Sequence, residues 1–313
     1  MNVLFLSPTV DTAGLGIGMK RAFDAHGGEW HARAVRCADS WLRYDADIDW
    51  DRSDGAQTAE VMSVWAQADV LHIMEMPWGS GFGPRKPTVV QHLGTYYRRN
   101  PQVVSAQCQA LGATEVADMH DLIRLNPSLG WLPDIQAVDE LAALRERTYP
   151  GLDDRIRIAH APTDRTIKST DLIVAAIERV GRDYPIDFDL IEGVPNAQCL
   201  ERKARCDLFV DELTLGWGLN ATECWAMGIP VVSGIANPET EAMMHRDVGD
   251  TLPFVKATPE TLDDVLRAMC RSAALRREWG EVGRAHLVAY HAPAAVVART
   301  IGLYERVLGL VPA

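Results

Sequence analysis

The sequence predicts an α/β protein built from two halves of similar construction. Three observations carry that expectation. Short β-prone apolar runs alternate with helical stretches along the 313 residues. The first run leads through a glycine-bearing loop straight into a helix, and the same strand–loop–helix pattern restarts near residue 157.

Val3 to Leu6 is an uninterrupted apolar run, as expected of a strand buried on both faces. Ser7-Pro8-Thr9 and Gly14-Leu15-Gly16-Ile17-Gly18 follow, and then a helix over 19–26, which makes a Rossmann-like opening. Gly14, Gly16 and Gly18 are spaced G-x-G-x-G, and the next strand, 32–37, ends without a ribose-binding acid, so this is not the dinucleotide fingerprint. Small residues here suit either close approach to a ligand or a tight turn. Strands are expected at 68–74 and 87–92, the second ending in His92-Leu93-Gly94-Thr95 with Arg98 and Arg99 behind it. A histidine at the carboxyl end of a parallel strand stands where α/β folds bind ligands. A strand over 115–119, a helix from Leu122 and a charged helix over 139–147 complete the first half. Tyr149-Pro150-Gly151 marks a boundary, giving domains 1–150 and 151–313.

The second half opens with a strand at 157–162, then Arg165 and Lys168 in a polar loop. A helix follows, with Leu172, Ile173, Ala176, Ile177 and Val180 on one face and Gly181 at its end. A strand at 187–191 and a helix closing over 200–205 lead to the stretch that organises the chain, 208–235. Leu208-Phe209-Val210 is a strand, Gly216-Trp217-Gly218 breaks it, and 221–227 suits one or two helical turns. Asn220 is placed as the helix N-cap and Glu223 as its capping-box acid. Gly228 is expected as a left-handed cap, Pro230 bars further helix, and 229–232 is a buried strand. A glycine loop opening onto a helix after a strand is a ready anion site, because free amides and the helix dipole converge there. Helices at 262–269, 273–283 and 294–308 finish the chain.

The segment Gly216-Trp217-Gly218, with Glu223-Cys224-Trp225-Ala226-Met227-Gly228-Ile229-Pro230-Val231-Val232, resembles the signature of retaining GT-B glycosyltransferases. That large family also contains sucrose synthases. Its signature carries two glutamates eight residues apart; Glu223 matches the second, and Leu215 stands at the first. His92-Leu93-Gly94-Thr95 and the Arg165-x-x-Lys168 spacing are similar to further family motifs, with Ser169 in place of the usual glycine. The resemblance implies a GT-B-like fold: two Rossmann-like, doubly wound domains facing a cleft, with the final helix crossing back to the first. It implies a hexosyl- or pentosyltransferase that moves a sugar from a nucleoside-diphosphate sugar with retention of configuration, without a metal ion or other cofactor.

By the same resemblance Arg165, Lys168 and the amides around Gly218, Leu219 and Asn220 bind the donor diphosphate, and Glu223 bonds the ribose. His92 is the catalytic candidate, and the loop of Gly14, Gly16 and Gly18 faces the cleft. With Leu215 unable to accept a hydrogen bond, Asp211 or Glu212, the latter for its longer reach, is expected to contact the sugar. Two other readings stay open: an epimerase or phosphorylase of the same architecture, and a non-catalytic nucleotide-sugar-binding protein, made credible by Leu215.

Composition sets outer limits. The net charge of −12 disfavours non-specific binding to nucleic acid or anionic membrane. The acceptor is therefore expected to be a carbohydrate or small molecule before a modified nucleic acid. Six cysteines show no C-x-x-C pair and no metal-like spacing, as in a cytoplasmic protein. No signal segment and no apolar run of membrane-spanning length is evident, and neither a P-loop nor a Gly-x-Ser-x-Gly elbow is present.

Overall fold

The structure is a computed structural model and describes residues 1–78 and 85–312. The chain divides into two compact units: Met1–Ile135 with Ala292–Ala313, and Gln136–His291.

The first unit is a seven-stranded sheet in the order β3-β2-β1-β4-β5-β6-β7, every pairing parallel. Its strands are β1 (Asn2–Val10), β2 (His31–Ala38), β3 (Ile48–Asp49), β4 (Val70–Met74), β5 (Thr88–His92), β6 (Thr114–Ala117) and β7 (Gly130–Trp131). Between them run α1 (Leu15–His26), α2 (Gly55–Gln67), α3 (Thr95–Arg99), α4 (Pro101–Leu111) and α5 (His120–Leu125). Strand alternation explains the unbroken apolar run in β1. Val3 and Phe5 enter one core with Met19 and Phe23 of α1, while Leu4 and Leu6 enter another with Val61 and Trp65 of α2. α1 starts at Leu15, earlier than the sequence suggested, because Gly16 and Gly18 are absorbed into its first turn.

The second unit holds α6 (Val138–Thr148), β8 (Ile156–His160), α7 (Thr170–Val180), β9 (Ile186–Leu190), α8 (Asn196–Lys203) and β10 (Leu208–Val210). It continues with α9 (Leu219–Ala226), β11 (Val231–Ser233), α10 (Pro238–Val248), β12 (Val255–Lys256), α11 (Leu262–Arg271) and α12 (Ala273–Tyr290). Its five strands are ordered β12-β11-β10-β8-β9, again all parallel. The division falls before α6, whereas the boundary drawn from sequence lay at 150/151. Arg145 of α6 donates to the carbonyls of Ala204 and Cys206, both at 2.7 Å, and Tyr149 donates to Asp207, which ties 138–149 to the second unit.

The last helix, α13 (Pro293–Val307), belongs to the first unit, where Val296, Val297 and Tyr304 join the core beside α1. The Tyr304 hydroxyl lies 2.6 Å from Nδ1 of His72 on β4. Burial pushes His72 down to about 3, so the ring is neutral there. Replacing Tyr304 with Phe leaves a buried ring nitrogen without this partner and should cost about 1–3 kcal/mol. Urea denaturation followed by tryptophan fluorescence will show that loss; an unchanged midpoint would mean the contact contributes nothing net.

Candidate functional site

In the second sheet β8 is followed by a helix leading outward to β9, whereas β10 and β11 lead the other way. The reversal lies between β8 and β10, and open α/β sheets bind ligands outside the carboxyl ends of strands at such a point. The residues leaving these two strands include most of the candidates named from sequence.

After β8, residues 164–169 form one helical turn. Asp164 accepts from the amides of Thr166 (2.9 Å) and Ile167 (3.1 Å), and the Lys168 amide bonds the Asp164 carbonyl at 3.0 Å. Ser169 sits at φ 54°, a left-handed conformation that glycine adopts more readily than serine. Arg165 is about half exposed and is held by Glu192 (2.9 and 3.0 Å) and Asp171 (2.8 Å). Lys168 points inward. Its Nζ lies 2.6 Å from Oδ1 of Asp211, the first residue beyond β10 and 1% exposed.

The other Asp211 oxygen accepts from the Gly218 amide at 3.0 Å. Gly218 is the N-cap of α9, and a Cβ there would meet Lys168 Nζ at 3.2 Å, so glycine lets the ammonium approach the helix end. Lys168, Asp211 and the amino end of α9 thus form one cluster. Gly216 is favoured by its φ of 102°, and a Cβ there would also push aside the tip of Met244, whose Cε is 2.2 Å away. Trp217 between the two glycines is a core anchor, packed against Trp225, Phe254 and His286.

The cap expectation fails. α9 starts at Leu219 with Gly218 as cap, so Asn220 lies inside the first turn and Glu223 does not close a capping box. Both are drawn instead to Lys203 of α8, whose ammonium is fully buried and contacts Asn220 Oδ1 and Glu223 Oε2. A buried charge needs a counter-charge, and that need outweighs the local cap. Burial alone would lower the lysine's pKa, but Glu223 holds it above the ordinary value, so the ion pair stays charged. Asn220 Nδ2 also donates to the Ala161 carbonyl at 2.8 Å, which pins α9 to the exit of β8. Nothing in the sequence pattern marked Lys203, which lies in a run of charges at 201–205 that reads as a solvated face.

Glu212 turns back on its own loop. Its Oε2 accepts from the Thr214 amide (2.7 Å) and hydroxyl (2.9 Å), and its Oε1 from the Leu215 amide (2.5 Å). Leu215, at the position of the missing acid, bridges Ile235 in antiparallel fashion. Two glycines of α12 are set by packing. Cβ atoms at Gly280 and Gly283 would strike the Gly228 carbonyl and Trp225, both at 2.3 Å, and Arg284 caps the Ala226 carbonyl at 2.7 Å.

In the first unit the glycine loop is filled from within. Asp11, directly after β1, accepts from the amides of Gly16 (2.8 Å) and Ile17 (3.1 Å) and from Ser7 (3.0 Å). Gly14 and Gly18 are small for packing reasons, with Tyr44 and Ile135 at 2.6 and 3.2 Å from their would-be Cβ atoms. His92 is enclosed, with Nε2 2.9 Å from Glu115 Oε1 and the ring stacked on Tyr97 at 4.0 Å. Ser105 also donates to Glu115 at 2.8 Å. Cys108 completes a nitrogen, sulfur and oxygen donor set lying within 4.8 Å, which spacing in the sequence did not reveal. Burial and the neighbouring Glu115 push the Cys108 thiol up to about 12, so it remains a protonated donor. The three groups form a closed polar knot around Glu115.

No protein-family model matches the chain, and no curated protein matches it by sequence. Solved structures do match. A glycosyltransferase from Rickettsia africae aligns at TM-score 0.61 and 10% identity, covering 98% of each chain. HepE of Anabaena in complex with UDP and glucose aligns at 0.65 and 12% identity, over 97% of this chain and 99% of that one. The fold is GT-B-like α/β. A UDP-GlcNAc 2-epimerase from Neisseria meningitidis, bound to UDP-GlcNAc, aligns at 0.56 and 12% identity over 98% of this chain and all of that one. At these identities the likeness is one of fold. Among the described residues no helix is long and apolar enough to cross a membrane.

Two outcomes follow from the geometry. Glu223→Gln strands a buried ammonium and should lower stability by about 3–5 kcal/mol, and adding Lys203→Met should recover much of it. Urea denaturation of the single and double variants tests this; equal stability of Glu223→Gln and wild type would refute a charged pair. The second concerns Glu212, which burial pushes from 4.5 up to about 7, with Lys168 lowering and Asp211 raising it. Between these values the folded chain keeps a proton that the unfolded chain has lost. Its contribution is therefore full below about pH 4.5 and is lost as pH rises through about 7, a change of about 3 kcal/mol. The stability difference between wild type and Glu212→Gln should shift by that amount across the window. A difference flat with pH would show that Glu212 titrates normally.

Proposed function

We propose that the protein is a glycosyltransferase that moves a sugar from a nucleoside-diphosphate sugar to a carbohydrate or small-molecule acceptor, with retention of configuration and without a metal ion. The observation that carries this reading is the cluster of Lys168, Asp211 and the amino end of α9 at the switch point of the second sheet. The GT-B-like fold supports it, since like-folded structures hold UDP or a UDP-sugar.

In this reading the Lys168 ammonium and the amides of Gly218, Leu219 and Asn220 receive the diphosphate and stabilise charge on the leaving group. Arg165, at the rim, adds long-range attraction after releasing Glu192 and Asp171. Glu223 bonds the ribose through Oε1, its Oε2 being engaged by Lys203. Asp211 is better placed than Glu212 to meet the sugar, because its partners are the Lys168 ammonium and the Gly218 amide at the end of α9, whereas Glu212 is folded back on its own loop. His92 acts by holding the end of β5 in place rather than by touching the reacting carbon, since its ring is enclosed. Epimerisation is the second reading, favoured by Leu215 in place of the signature acid and by the epimerase of like fold.

Incubation with a panel of UDP-, GDP- and ADP-sugars, with and without simple acceptors, separates these readings. NMR of the first-formed product gives a transferred sugar with unchanged anomeric configuration for the transferase, and an epimer without acceptor for the alternative. Binding without turnover of any donor would leave only a binding role. Calorimetry with UDP should show at least about a ten-fold loss for Lys168→Ala, one charge-assisted contact contributing roughly 1.5–3 kcal/mol, and a smaller loss for Arg165→Ala. Equal affinity in wild type and Lys168→Ala would remove the lysine from the site.

A further inference from the structure

Three strand ends at the switch points of the two sheets are followed at once by an acid: Asp11 after β1, Glu75 after β4 and Asp211 after β10. Asp11 and Asp211 occupy amides of the segment beyond their own strands, and Glu75 occupies amides beyond the neighbouring β5. Asp11 takes those of Gly16 and Ile17, Glu75 those of Leu93 (2.9 Å) and Tyr96 (3.2 Å), and Asp211 that of Gly218. They differ in one respect. The hydrogen-bond donors to Asp11 and Glu75 are neutral amides and a hydroxyl, whereas Asp211 also accepts from the Lys168 ammonium.

We infer that Asp211 is the specificity-determining residue of the donor site, a displaceable carboxylate that makes the chain prefer a nucleotide sugar to the bare nucleoside diphosphate. This rests on the donor-site reading of Lys168 and α9. The carboxylate stands on the two donors a diphosphate would use, the Lys168 Nζ at 2.6 Å and the Gly218 amide at 3.0 Å. An incoming phosphate must take both, exchanging one anion for another on the same cation. Such an exchange leaves the Lys168 charge compensated throughout, which the neutral donors around Asp11 and Glu75 do not provide. The released carboxylate lies beside the phosphate that carries the sugar. Sugar hydroxyls are donors, so a nucleotide sugar gives Asp211 new partners in place of those it lost. A bare diphosphate gives it none and adds like-charge repulsion. The same carboxylate therefore favours substrate binding and promotes release of the product diphosphate. Leu215 fits this assignment, because Asp211 supplies an acceptor that the signature position lacks.

The test is calorimetry of wild type, Asp211→Asn, and Asp211→Asn with Lys168→Gln, each titrated with UDP, with inorganic pyrophosphate and with a UDP-sugar. Asparagine keeps the shape and can still accept from Gly218 but carries no charge. Asp211→Asn should bind UDP and pyrophosphate roughly ten-fold more tightly than wild type, with a smaller change for the UDP-sugar, so that the preference collapses. Adding Lys168→Gln should abolish the gain. Should Asp211→Asn be poorly folded by thermal melting, Asp211→Ser serves as the second neutral variant. UDP binding in wild type with equal or weaker binding in both neutral variants would overturn the inference and leave the donor site standing. No binding of UDP or pyrophosphate by any variant would overturn both.

Discussion

A parallel sheet flanked by helices directs the amino ends of those helices to the edge where the strands end, and the free amides there must find acceptors. This protein meets that demand with carboxylates from its own strand ends. Asp11 closes the start of α1, Glu75 the start of α3, and Asp211 the amide that caps α9. The positions most suited to holding an outside anion are thereby occupied from within. Burial raises both Asp11 and Glu75 against the amides that lower them, so these two carboxylates are costly to keep charged and suit a fixed structural role. Of the three, Asp211 has a lysine at hydrogen-bond distance, which sets an ammonium beside the amino end of α9.

Around that cluster the second unit is organised to leave little freedom. His160 at the end of β8 reaches the Val210 carbonyl (2.8 Å) and the Thr170 hydroxyl (2.9 Å), joining β8, β10 and the start of α7. Burial lowers its pKa, so it makes these bonds as a neutral ring. Asn220 links α9 to the exit of β8, and Lys203 with Glu223 locks α9 to α8 through a charge pair that cannot be relaxed by solvent. Behind α9, two glycines of α12 allow its backbone to approach Trp225 and Gly228 at distances no side chain permits. The amino end of α9 is therefore aimed by packing on all sides. That packing holds the amides of this helix end and the nearby Lys168 ammonium in fixed positions.

The first unit shows the converse. Its glycine loop and its strand-end histidine have the residue types of a ligand site, yet both are engaged by the chain itself. The glycines accommodate Asp11, Tyr44 and Ile135, and the histidine is one donor in a knot with Glu115, Ser105 and Tyr97. Residue type and position along a strand do not separate a histidine that faces solvent from one that faces a neighbouring helix.

The sequence by itself determined what depends on near neighbours along the chain. Unbroken apolar runs announced strands buried on both faces, Gly228 (φ 67°) and Pro230 announced the end of α9, and the repeat of strand, loop and helix announced two α/β units. It also placed Arg165 and Lys168 in the loop after β8, and Gly218 in the glycine loop ahead of α9, because spacing from a strand end is a local property. Tertiary structure decided the partners. Lys168 meets Asp211 across 43 positions only because β8 lies beside β10 in the sheet. Glu223 leaves its capping role because α8 brings a buried lysine against α9, and α6 joins the second unit because Arg145 finds carbonyls near residue 205. Periodicity and turn chemistry are set by bonds between residues a few positions apart, whereas the pairing of charges follows strand order, and strand order is a property of the folded sheet.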